Sequence, residues 1–295
     1  MPPRAAATWV LLAVLWPAPA AAWGFDVHRL ITDRAIALLP APIRPFFEKH
    51  RVFVVEHSID PDLWRTAGFA EEPPRHFLDL DAYGRWPFEA LPREYGAAVR
   101  RFGRETVDAN GLLPWRAAEI HAQLVGAFGA ATDPARPYAL DDVKFFTAVL
   151  AHYAGDAFVP FHATKNYDGQ LTGQHGIHSR FETELVRRFE GRLRLAPAAR
   201  PPVREARDFI FDALLSGYRL VDEILAVDRR AVAGRTEYDD AYFDRFFAGV
   251  QAVLERRLTA SIEGVAALVA GAWEAAGRPV VPLEPARVPR KVKRP

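Results

Sequence analysis

Two short stretches constrain this chain more than any others. In "HYAGDAFVPFH", His152 and Asp156 stand four residues apart, and His162 follows just beyond Pro160. In "HGIHSRFETE", His178 and Glu182 repeat that spacing. Residues four apart on a helix share a face, so each stretch, read as helix, aims an imidazole and a carboxylate the same way. Either pair alone is more often a surface hydrogen bond than a ligand pair. Two such pairs with a His between them, all on apolar segments, ask for a helical fold that gathers them into one polynuclear metal site. The chain has no cysteine, so thiolate ligands and disulfides are excluded. Neutral imidazole and carboxylate are what zinc accepts in their absence.

The rest of the chain agrees with a helical reading. "HRLITDRAIALLP" carries Leu30, Ile31, Ala35, Leu38 and Leu39 at helical spacing, and Pro40 stops the pattern. "DDVKFFTAVLAHYAGDAF" starts acidic and places Phe145, Ala148, Val149 and His152 on one face. "SRFETELVRRFEGRL", "REARDFIFDALLSGYRLVDEILAV" and the long run from Asp240 to Ala276 continue the theme. From about 52 to 92 the text is turn-rich, with "DPD", "EEPPRH" and "DAYGRWP". No alternating run requires a sheet and no internal repeat is present. The 295 residues, half of them hydrophobic, can bury a large core without staples. With 38 basic and 37 acidic residues the net charge is +1, which argues against a nucleic-acid-coating protein and leaves room for a local patch.

Both ends read differently from the middle. Residues 1–22 have the pattern of a secretory signal: Arg4, the short apolar run "AAATWVLLAVLW", then small residues ending at Ala22. The apolar run is too short for an ordinary span, although an uncleaved membrane anchor stays open. The expectation is an exported protein, periplasmic or secreted, that begins at Trp23. Residues 277–295 are Pro-rich and basic, the composition of a disordered tail. Such a tail is either merely soluble or drawn to anionic membrane surfaces as a peripheral contact.

The order Trp-x4-His, Asp, His-Phe-x-Asp, His-x3-Asp-x5-His, His-x3-Glu, running from Trp23 to Glu182, resembles the zinc-dependent phospholipase C and single-strand-specific nuclease superfamily. The resemblance implies an all-α fold: a single multi-helix domain over 23–276 with a metal cluster at the bottom of a cleft. It implies about three zinc ions. Asp62, His76, His152 and Asp156 would hold the first, and Asp156 would bridge to a second completed by Trp23 and His28. His162, His178 and Glu182 would hold the third. Trp23 would bind through its free α-amino group and carbonyl, so signal cleavage would itself create a ligand. The activity implied is hydrolysis of a phosphodiester by a metal-activated water, with Asp62, Asp156 and Arg65 at the catalytic centre. Arg65 matches a phosphate-contacting Arg of the nucleases, against the alternative of a surface Arg. No obligate protein partner follows.

The substrate is less sharply drawn. Trp23-to-His28 spacing resembles the nucleases, as do Phe77 and Asp79, which match a stacking aromatic and a base-binding Asp. The phospholipases also show His-Phe-x-Asp, and Glu182, where the nucleases end on Asp, resembles them. Asp26 matches the acid of a choline-binding phospholipase, but Leu63 and Pro73 stand where that enzyme has aromatic cage residues. Residues 165–176, "KNYDGQLTGQHG", read as a loop over the site, with Asn166 a further substrate-binding candidate. The reading is a phospholipase C-like enzyme acting on a phospholipid head group. A nuclease or nucleotidase cutting single-stranded nucleic acid is the alternative, and a metal-stabilised binding protein without catalysis the more distant one. His50, His57, His121 and His175 match no ligand position; His57 and His175, close to ligands in sequence, are candidates to support them.

Overall fold

A computed structural model describes residues 24–284. Thirteen α-helices and several single 3-10 turns make up the ordered structure, with no strand among the described residues. The first half holds α1 (Phe25–Ala37), α2 (Arg44–Lys49), α3 (Arg51–Glu56), α4 (Asp60–Thr66), α5 (Tyr95–Phe102), α6 (Arg104–Ala109), α7 (Leu113–Gly129) and α8 (Ala139–Asp156). After them come α9 (Ile177–Ser179), α10 (Leu185–Phe189), α11 (Ala206–Tyr218), α12 (Val221–Val232) and α13 (Asp240–Ala275). The signal segment 1–22, Trp23 and residues 285–295 lie outside the described residues.

Helix α8 is the axis of the fold. It packs against α7, α1, α3 and α13, and from Thr147 to Asp156 every residue is buried. A helix apolar on all sides belongs in the middle of a bundle. Among its buried polar side chains, His152 and Asp156 fall at the C-terminal end and are fully buried. The 36-residue α13 spans the molecule and packs against α1, α7, α8 and α12. Helix α1 buries Val27, His28, Ile31, Ala35 and Ile36 along one stripe, which holds it against α13 and turns His28 inward.

Several stretches fold otherwise than their sequence implies. The region from 52 to 92 is helical up to Thr66, and Asp62 sits in the first turn of α4 rather than in a loop. "SRFETELVRRFEGRL" is not one α-helix: Arg180–Glu184 forms a π-helical turn between α9 and α10. The segment from 205 to 232 breaks after Tyr218, and the last turns of α11 before the break are held by the buried Arg257, which reaches the Ala213 carbonyl (2.9 Å) and the Ser216 hydroxyl (2.7 Å). The stretch beginning at Gly277 is not free where it is described. The Trp273 indole donates to the Pro279 carbonyl (2.9 Å), Val281 is buried, and Lys49 pairs with Glu284.

Candidate metal centre

Five elements converge on the last turn of α8. Helix α1 brings His28 and α4 brings Asp62. A 3-10 turn, Pro73–His76, brings His76. A second 3-10 turn, Pro160–Ala163, follows α8 and carries His162, and the π-helical turn after α9 sets Glu182 beside His178. Gly24 fixes the entry: its N–H donates to Thr183 Oγ1 (3.2 Å), and a Cβ there would meet Thr183 Cγ2 at 2.7 Å. The chain therefore starts its described course next to Glu182.

The eight described candidates are all buried. They fall into three groups: His28, His152 and Asp156; Asp62, His76 and His152; His162, His178 and Glu182. Within each group one ligand atom per residue lies within 4.8 Å of the others. Asp156 occupies the centre. Its Oδ2 is 3.0 Å from His76 Nδ1 and 3.4 Å from His152 Nε2, and its Oδ1 is 3.4 Å from His28 Nε2 and 3.9 Å from His162 Nδ1. His28 and His152 stack with ring centroids 3.9 Å apart. His178 Nε2 approaches Glu182 Oε2 at 3.1 Å.

The donor set fits cations. Both nitrogens of His28 and of His178, His162 Nε2, Asp62 Oδ2 and Asp156 Oδ1 are buried without a hydrogen-bond partner. Buried polar groups are seldom left so. Burial pushes the His162 pKa down to about 3 and that of His178 to about 4. Burial, with His152 beside it, lowers that of His28. These rings are held neutral, the form that offers a lone pair to a metal. Burial works against the charge on Asp156, yet His152 and His162 hold its carboxyl well below the usual range. An ionised acid at a helix C-terminus also faces the negative end of the helix dipole, so positive charge beside Asp156 is what the site calls for. Burial likewise opposes charge on His76, but Asp156 and Glu72 outweigh it and raise its pKa to about 9.

Above the groups opens a cleft of about 450 Å³. Arg65, Pro73, His76, Phe77, Asp79, Phe161, His162, Tyr167 and His178 line it. Arg65 Nη2 lies 2.9 Å from Asp62 Oδ1, which aims the guanidinium across the floor. Burial, and Asp81 close by, push the Asp79 pKa up to about 7.

No family model matches the chain, and no curated protein matches it in sequence. Among solved structures it is similar to the crystal structure of Clostridium perfringens alpha-toxin isolated from avian strain SWCP. The TM-score is 0.52 at 13% identity, over 89% of this chain and 66% of that one. The two chains share an all-α fold. The chain spans just under two thirds of the alpha-toxin chain's length.

Of the sequence candidates, the eight described candidate metal ligands together with Arg65, Phe77 and Asp79 come to one place. Trp23 lies outside the described residues. Two substrate candidates do not fit their expected role. Asp26 is largely exposed, pairs with Arg29 at 3.5 Å, and lines a separate depression with Phe25, Arg187 and Glu190. Asn166 is buried and engaged at both ends of its amide, accepting from Leu171 N (2.8 Å) and donating to Thr172 Oγ1 (3.2 Å). It shapes the loop, and Tyr167 is the loop residue that faces the cleft. His175 is exposed and serves the site through its carbonyl, which accepts from Arg180 (2.6 Å); His57 bonds Asp60 at 2.7 Å. Sequence reasoning passed over Glu72, which is 1% exposed and touches His76. It stands four residues before His76, the same spacing that marks His152–Asp156 and His178–Glu182.

Proposed function

We propose that the chain is an exported zinc-dependent phosphodiester hydrolase of phospholipase C type. One observation carries the reading: three buried groups of imidazole and carboxylate adjoin one another, and His76, His162 and His178 from two of them line a single cleft together with a cation and aromatic rings. The nine-ligand assignment made from the motifs, with Trp23 included, is retained. Zinc ions held by these residues would supply an acidified water and neutralise charge on phosphoryl oxygens. The protein's own part is positioning. Asp156 presents an oxygen to each of two neighbouring groups. Asp62 holds Arg65 where its guanidinium can meet a phosphate oxygen bidentately. Stabilising charge on those oxygens is most of what phosphoryl transfer requires. Phe77 and Tyr167 offer faces to the rest of the substrate.

A nuclease reading has its own support. Phe77 and Asp79 share one wall of the cleft, as a stacking aromatic and a hydrogen-bonding carboxyl for a base would. Hydrolysis of phosphatidylcholine, phosphatidylinositol, single-stranded DNA and RNA by the purified mature chain, with and without chelator, separates the readings. Chelator-sensitive cleavage of a phospholipid is the expected result. Cleavage of nucleic acid alone would replace it with the nuclease, and no cleavage of any substrate would overturn both.

A further inference from the structure

We propose that Glu72 is a positioning residue for the metal centre, a buried carboxylate that orients His76 from behind and fixes Nδ1 as its ligating atom. The proposal rests on the metal reading above and extends it to a residue outside the nine motif positions. His76 Nδ1 faces the cluster, 3.0 Å from Asp156 Oδ2 and 3.1 Å from His152 Nε2. On the other side of the ring, Nε2 lies 3.5 Å from Glu72 Oε1. Glu72 is itself held in place: the Tyr153 hydroxyl donates to Oε1, and Arg75 Nη1 donates to Oε2 at 2.8 Å. Tyr153, fully buried on α8 next to His152, thereby ties this carboxylate to the same helix that carries two of the ligands.

A carboxylate this deep is costly unless its oxygens are paired, and here they are paired in a way that leaves Oε1 facing an imidazole. The neighbouring rings are backed by neutral carbonyls at hydrogen-bond distance. His152 Nδ1 sits 2.8 Å from the Ser58 carbonyl and His162 Nδ1 sits 2.5 Å from the His76 carbonyl, so each aims Nε2 at the cluster. His76 alone of these three is backed by a full charge. Such a partner fixes the tautomer and raises the basicity of the ligating nitrogen, and its removal typically weakens metal binding about 10- to 100-fold.

The test is a chelator titration of the zinc-loaded mature chain, with released zinc counted by elemental analysis and melting followed in parallel. Glu72→Gln keeps the shape and removes the charge. It should surrender one zinc ion at roughly 10- to 100-fold lower chelator strength while holding the others as wild type does. Glu72→Asp, which keeps a carboxylate, should shift in the same direction by less. Tyr153→Phe removes one of the two ties on Glu72 and should shift in the same direction by less than Glu72→Gln. A merely structural role would lower the melting temperature and leave the chelator curves superimposed, and that outcome for Glu72→Gln overturns the assignment. If Glu72→Gln does not fold, Glu72→Asp decides by the same criterion. Wild type that takes up no zinc would overturn the metal reading and this inference together. A zinc-loaded wild type indistinguishable from Glu72→Gln overturns this inference alone.

Discussion

Two buried polar clusters in this molecule are alike in burial and differ in completeness. Beneath the loop 165–176, Arg180, Asp228, Tyr242 and Gln174 form a closed network. Arg180 donates to Tyr242 Oη (2.9 Å), Asp228 Oδ1 (3.2 Å) and two backbone carbonyls. Gln174 donates to Asp228 Oδ2 (2.6 Å) and accepts from Arg229 (2.8 Å), and the Tyr242 hydroxyl donates to Asp228. The protein satisfies its own charges there. Around Asp156 it does so only in part: both nitrogens of His28 and of His178, His162 Nε2, Asp62 Oδ2 and Asp156 Oδ1 are buried without a hydrogen-bonding partner. The first arrangement is a strut, which ties the π-helical turn bearing Glu182 to α12 and α13. The second is a receptacle, and the difference separates structural polarity from a site without reference to any relative.

The comparison can be broken by removing one charge from each side. Asp156→Asn should be the most damaging change in the chain, lowering phosphodiester hydrolysis by on the order of 100-fold or more with loss of zinc. It should leave helical content and melting close to wild type. Asp228→Asn should do the reverse. Breaking a buried pair costs about 3–5 kcal/mol, read as a lowered denaturation midpoint, while the folded fraction keeps its zinc. Equal effects of the two on zinc content would erase the distinction. The smallest effect belongs to His121→Ala. His121 is buried on α7, away from the cleft, in a shallow depression with Glu119 and Arg204. Its loss should cost about 1–3 kcal/mol of stability and change neither zinc nor rate.

Much of this was legible in the sequence, for local reasons. Helices α1, α8 and α13 follow from apolar spacing, and the approach of His152 to Asp156 and of His178 to Glu182 from an i, i+4 spacing that survives folding. What escaped was set by contacts distant in sequence. The last turns before the break after Tyr218 are met by Arg257, some forty positions away. The π-helical turn carries Arg180, which meets Asp228 and Tyr242 on distant helices, and no local pattern announces it. The helical course of α4 could have been read, since Pro61 in its first turn flanked by Asp60 and Asp62 is a helix-start signal. Asp26 and Asn166 were placed by analogy of position alone. Their side chains found nearer partners, Arg29 for one and the loop's own backbone for the other.

The central claim is that the unsatisfied cluster is a polynuclear zinc site. Elemental analysis of the purified mature chain, beginning at Trp23 and freed of loosely bound metal by gel filtration, tests it most directly. The account predicts about three zinc ions per chain, from the donor count over three groups. One ion or none, in a chain verified as folded by its helical circular dichroism, would contradict it.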